Sequence, residues 1–183
     1  MLDNRVYQYS PSPQMDYILL QWMERMRHDG ELDKTISKAN QSPYTFLAFF
    51  QQPRQLWFQL DELGNLSLAC WIEPCMGSVF LSYYAQPAYR KNREVAHFIF
   101  DCFDMIFKAG IPVICGLIQQ RPTEQEMEAF LKLHEKMGYI RSGKLPKFFD
   151  GKDCHIVCLT AENWSKPNKM KERWERNRKS QQS

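Results

Sequence analysis

The residues best suited to chemistry lie in the passage Ser78-Val-Phe-Leu-Ser-Tyr-Tyr-Ala-Gln-Pro-Ala-Tyr-Arg-Lys-Asn-Arg-Glu-Val-Ala96. An apolar strand reads as far as Ala85, and Gln86-Pro87 ends it. The basic turn Arg90-Lys91-Asn92-Arg93 then leads into an amphipathic helix near Glu94. A strand that feeds a helix N-terminus aims several unpaired backbone N–H groups at one spot, and that spot attracts anions. Nearby cations strengthen the attraction, so the passage reads either as a phosphate cradle or as a charged turn. Tyr83 and Tyr84 must face opposite sides of the strand, so one can line a cleft while the other packs. The six cysteines (70, 75, 102, 115, 154 and 158) form no Cys-x-x-Cys pair and sit mostly in apolar patterns, as buried reduced thiols do. His28, His97, His134 and His155 do not cluster with them at ligand spacing, so no metal site is expected.

The elements that must position these residues follow from hydrophobic period and punctuation. Ser12-Pro13 opens a first helix over 13–27, with apolar Leu20, Met23 and Met26 at helical spacing, and His28-Asp29-Gly30 stops it. Residues 32–39 read as a second short helix and 44–51 as a compact apolar strand. Gln55 to Asp61 alternates, Gly64-Asn65 turns the chain and Leu66 to Ile72 returns, which predicts a hairpin. Ser78 to Ala85 is apolar on both faces, as a central strand is. A helix over 94–108 turns Val95, Phe98, Ile99, Cys102, Ile106 and Phe107 inward, and Val113 to Ile118 is a second central strand. Thr123, with Glu126 at capping-box spacing, opens a helix that places Met127, Phe130, Leu131 and His134 on one stripe up to Gly138. Strands over 139–149 and 154–159 complete the order. The strand–helix–strand crossover implies a parallel pair inside a mostly antiparallel sheet. The expected class is α+β, a mixed sheet with helices on both faces.

Composition narrows the function classes. The chain has 183 residues, 44% of them hydrophobic and 14% aromatic, enough to fill one domain of about residues 1–163. No run of about 18 apolar residues exists, and no basic start precedes an apolar stretch, so a cytoplasmic protein without membrane association is expected. The net charge of +3 conceals an asymmetry. Residues 164–183 hold seven cations (Lys166, Lys169, Lys171, Arg173, Arg176, Arg178, Lys179) against Glu172 and Glu175, or +5, which leaves −2 for residues 1–163. This basic C-terminal tail reads either as a solvated end or as a short helix over 169–178 that carries Met170 and Trp174 toward a partner. It has no recognised nucleic-acid motif, so nucleic acid is the less favoured partner.

Two motifs give the element order a family likeness. Ala85-Gln86-Pro87-Ala88-Tyr89-Arg90 resembles the entry to the acetyl-CoA pyrophosphate loop of the GCN5-related N-acetyltransferases. Lys132-Leu133-His134-Glu135-Lys136-Met137-Gly138-Tyr139 resembles the end of that family's next helix. The resemblance covers about residues 10–160. It implies the GNAT fold, acetyl-CoA as cofactor, and a cofactor-binding set of Tyr84, Ala85, Arg90, Lys91, Asn92, Arg93, Glu94 and Val95. It also implies a catalytic set: His134 stands where members often carry the tyrosine that protonates the leaving thiolate, Tyr84 lies at the strand end beside the acyl group, and Glu73 or Asp61 would serve as general base. Histidine can donate a proton near neutrality; on the apolar stripe it can equally be a packed side chain. Glu73 has the alternative of a solvated strand-end acid.

The chain also departs from the family pattern. Arg93 and Val95 stand where small residues let phosphate approach the backbone, and Glu94 adds a negative charge to the same N–H groups. Arg90, Lys91 and Arg93 would compensate through their side chains. Two readings of the resemblance follow. One is an acyl-CoA-dependent N-acyltransferase of unspecified acceptor with a degenerate pyrophosphate loop. The other is a non-catalytic protein of the same fold with a structural or assembly role, such as a bacteriophage virion component that joins its assembly through the basic tail. In that case the host cytoplasm or the virion is its location. A third reading is a nucleic-acid-binding module carried by the tail alone.

Overall fold

The computed structural model describes residues 5–51, 54–90, 93–149 and 151–182. Among them the strands form one mixed sheet in the order β1-β2-β3-β4-β5-β7-β6, antiparallel except for the β4–β5 pair. Seven α-helices accompany it among the described residues, so the expected α+β class holds. The chain divides into two compact units. The first comprises the residues up to Glu73 together with Ser82–Cys102, and the second Pro74–Leu81 with everything from Phe103 onward.

In the first unit, the short strand β1 (Tyr7–Gln8) pairs antiparallel with β2 (Gln55–Leu60), and β2 with β3 (Leu66–Cys75). Helix α1 (Pro13–His28) starts where Ser12 accepts the Met15 N–H, with Pro13 preset for the first turn. Its buried face is Leu19, Trp22, Met23 and Met26. Gly30 then takes φ +66, a left-handed conformation that ends the helix without a Cβ clash. Helix α2 (Leu32–Thr35) is shorter than expected. Ile36 is extended at φ −124, and a single 3-10 turn follows over Lys38–Asn40.

Residues 44–51 are expected as a strand, but 44–49 belong to helix α3 (Pro43–Phe49), which Phe50 caps. The local cause is a reciprocal cap. The Ser42 hydroxyl accepts the Thr45 N–H at 3.2 Å, the Thr45 hydroxyl accepts the Ser42 N–H at 3.2 Å, and Pro43 occupies the first turn. A short all-apolar run cannot reveal its period, so this cap was the deciding signal. Helical spacing brings Phe46 and Phe50 onto one face, each 5.6 Å from the Trp22 ring. Trp71 and Tyr84 close the same aromatic core, 6.4 and 5.5 Å from Trp22.

Strand β4 (Ser78–Ala85) has the bounds the sequence predicts. In the second unit it meets β5 (Val113–Gln119) in parallel, with Val79 opposite Ile114 and Phe80 opposite Cys115. Helix α4 (Arg93–Lys108) makes the crossover. Strand β5 pairs along its whole length with β7 (Lys152–Thr160), which also carries β6 (Ile140–Phe149). Helix α5 (Glu124–Lys136) is capped by the Thr123 hydroxyl on the Glu126 N–H.

The C-terminal residues fold into α6 (Ala161–Ser165) and α7 (Lys169–Gln182), longer than the helix expected there. Trp164 is buried edge-on against Phe103 at 5.5 Å, and Trp174 is buried 5.9 Å from Trp164. Arg178 reaches Asp104 at 3.1 Å. The tail's tryptophan thus completes the core of the second unit, while Arg173, Arg176 and Lys179 stay exposed.

Candidate functional site

Strand β4 delivers the chain to the turn ahead of α4. Its end is fastened to β3: the Gln86 N–H donates to the Ser67 carbonyl at 2.9 Å, and the Ser67 hydroxyl donates to Gln86 Oε1 at 3.2 Å. A 3-10 turn over Pro87–Tyr89 follows, and α4 begins at Arg93. Helix geometry turns the first-turn N–H groups of this 16-residue helix outward along its axis, toward the turn that precedes it. Glu94 and Val95 are half-buried in that turn. Lys91 and Asn92 lie outside the described residues, as does the side chain of Arg93.

Arg90 is held on two sides. Its Nε donates to the Ala85 carbonyl at 3.0 Å, and its Nη2 meets the carboxylate of Glu31. Glu31 follows Gly30 and is 9% exposed; Lys34 binds its other oxygen at 2.9 Å. The hydrogen bond from Arg90 is the main reason its carboxyl titrates below the ordinary value; burial opposes this. Glu31 was not singled out in the sequence. It lies 59 residues from Arg90, and nothing local announces the pair. Among the described residues Arg90 thus braces the turn to the corner after α1.

This pair predicts a pH dependence. A carboxylate with a lowered folded pKa contributes stability that is present above its ordinary value of 4.5 and lost as pH falls through the folded value. Arg90→Gln is expected to cost about 1–3 kcal/mol near neutrality, because it leaves Glu31 buried with Lys34 alone. Urea denaturation from pH 7 downward should show the gap to wild type closing in the acid range. A constant gap would mean that the pair is not its source.

The two tyrosines divide as strand geometry requires. Tyr83 is 42% exposed, whereas Tyr84 is 4% exposed against Trp22. Burial pushes the Tyr84 phenol up to about 12, so it stays protonated throughout the neutral range. Glu73 is half-exposed, and Arg54 donates to one of its oxygens from Nε at 3.1 Å and Nη2 at 3.0 Å. Asp61 has a turn-forming role: its Oδ1 accepts the Leu63 and Asn65 N–H groups at 3.0 and 2.9 Å.

His134 lies in the second unit, on the α5 face shared with Met127 and Leu131, and is 8% exposed. Its Nδ1 is 2.9 Å from the Phe130 carbonyl. A carbonyl can only accept, so Nδ1 carries the proton. Burial, with the Arg121 cation adding to it, lowers the imidazole pKa, which favours the neutral ring. A neutral ring in this tautomer offers a lone pair at Nε2; the proton-donor role implied by the family likeness requires the ring to take up a second proton first. Among the described residues no group of three or more His, Cys, Asp or Glu side chains is placed to hold a metal, and no helix is long and apolar enough to cross a membrane.

The architecture recurs widely among N-acetyltransferases of known structure. A variant of spermidine N-acetyltransferase from Vibrio cholerae superposes with a TM-score of 0.68 at 10% identity, over 88% of this chain and 97% of that one. The GCN5-related N-acetyltransferase from Kribbella flavida gives 0.61 at 12%, over 85% and 97%. The ribosomal-protein-S18-alanine N-acetyltransferase from Escherichia coli gives 0.60 at 13%, over 85% and 94%. No family model matches the sequence, and no curated protein matches it. At these identities the likeness establishes the fold: this chain has the GNAT fold.

Proposed function

We propose that this chain is a divergent GNAT protein that binds an acyl-CoA and transfers its acyl group to an amine. The observation that carries the reading is the course of β4 into the N-terminus of α4, next to a parallel β5, in a fold shared with N-acetyltransferases over most of the chain. The first-turn N–H groups of α4 would hold the pyrophosphate, with Arg90 bracing the turn from behind rather than contacting phosphate. Bound acetyl-CoA supplies an acyl thioester. Neutral His134, with its proton on Nδ1 and a lone pair on Nε2, has the form of a proton acceptor.

A second reading, a non-catalytic GNAT-fold protein with a structural or assembly role, is favoured by the engagement of Glu73 with Arg54 and by Glu94 and Val95 in the first turn of α4. Titration calorimetry with acetyl-CoA separates the two. Binding supports the first reading, and no heat at millimolar cofactor leaves the second. Val95→Gly, by removing a β-branched side chain beside the N–H groups, is expected to tighten binding roughly tenfold, about 1.4 kcal/mol. A weaker complex would place the cradle elsewhere.

A further inference from the structure

Two thiols face each other across the second unit's sheet. Cys115 on β5 is the register partner of Cys158 on β7, and their Sγ atoms are 3.5 Å apart. Directly opposed residues of an antiparallel ladder have Cα atoms about 4.5–5.5 Å apart, inside the range of about 4.4–6.8 Å that a disulfide spans. Both side chains lie on one face of the sheet, because opposed residues point the same way. Both are half-buried, so a small oxidant can reach them. We propose that Cys115 and Cys158 form a reversible modification site, closing to a disulfide in reaction with a low-molecular-weight disulfide such as oxidised glutathione.

The chemistry balances in two exchanges. One thiol loses its proton and attacks a glutathione sulfur, which forms a mixed disulfide and expels one glutathione thiolate. The other thiol loses its proton and attacks the protein sulfur of that bond. The Cys115–Cys158 bond forms, and the second glutathione leaves. Two protein thiols are oxidised and one glutathione disulfide is reduced to two thiols. Desolvation, and after it the neighbouring Cys158 thiol, pushes the Cys115 thiol up to about 11, which restrains the first step near neutrality. The partners are 43 residues apart and enclose α5 and β6, so the bond would restrict the unfolded chain over the segment that carries His134. The other adjacent pair, Cys70 and Cys102, is fully buried and serves as an internal control.

The test is to incubate the folded full-length protein with oxidised glutathione and map its peptides under non-reducing conditions. The expected product links the Cys115 and Cys158 peptides, has lost two hydrogens, reverts with dithiothreitol, and leaves Cys70 and Cys102 as thiols. Its Tm should rise by about 5–10 °C. Cys158→Ser should abolish the linked peptide. Free thiols, a mixed disulfide that goes no further, or a link through Cys75 would overturn the proposal, and the wild-type map alone decides this if the variant does not fold.

Discussion

Trp164→Ala is expected to destabilise the second unit by about 3–5 kcal/mol in urea denaturation. The indole is 6% exposed and joins three elements. It meets Phe103 edge-on at 5.5 Å, lies over Phe107 at 6.1 Å and touches Trp174 at 5.9 Å. The Lys171 ammonium sits over its face, 4.5 Å from the centroid, and adds a cation–π attraction. Alanine would remove these contacts and leave a cavity between α4 and α7. Trp174 would lose the surface it packs on, so α7 should become sensitive to trypsin at Arg173, Arg176 and Lys179 at the same time. A change under about 1 kcal/mol with unaltered proteolysis would show that α7 does not depend on this contact. The result bears on the basic segment's role, because a partner that bound Trp174 would have to extract it from a core.

Trp22→Ala is expected to cost a similar amount, about 3–5 kcal/mol, in the first unit. Trp22 is 2% exposed and is the ring on which Phe46, Phe50, Trp71 and Tyr84 converge, each within 6.4 Å. It therefore ties α1 and α3 to β3 and β4. Its loss should also loosen Tyr84 and, through Ala85 and Arg90, the turn that leads to α4. Trp22→Phe keeps most of the apolar contact and should recover at least half of the loss. If phenylalanine were as damaging as alanine, ring contact would not be the source of the effect.

Much of the scaffold was legible because its signals are local. Ser12-Pro13 and Thr123 each begin a helix with a side chain that accepts a backbone N–H, and such caps are readable from a few residues. The all-apolar run Ser78–Ala85 announces a strand covered on both faces. The run after Ser42 carried an equally local cap, but its apolar residues gave no period, and the reading as a strand failed there. The fold likeness was legible for the same reason: two short motifs fall at strand and helix ends, where spacing is rigid.

The candidate site was harder to read, because its chemistry depends on pairs distant in sequence. That Arg90 follows a strand is written in the chain; that Glu31 and the Ala85 carbonyl hold it is not. Alternation requires Tyr83 and Tyr84 to part, yet only packing on Trp22 decides that Tyr84 is the buried one. The stripe that holds His134 is visible as a pattern. The proton on Nδ1 follows from where the Phe130 carbonyl points and from how little water reaches the ring. By itself the sequence determined the order of elements from Gln55 to Leu159, the strand-to-helix passage at 78–96 and the charge of the last twenty residues, all set by neighbours within a few positions. Only the tertiary structure decided which cations face solvent, which thiols meet and which protonation states burial favours, because desolvation and pairing depend on distances that the chain acquires on folding.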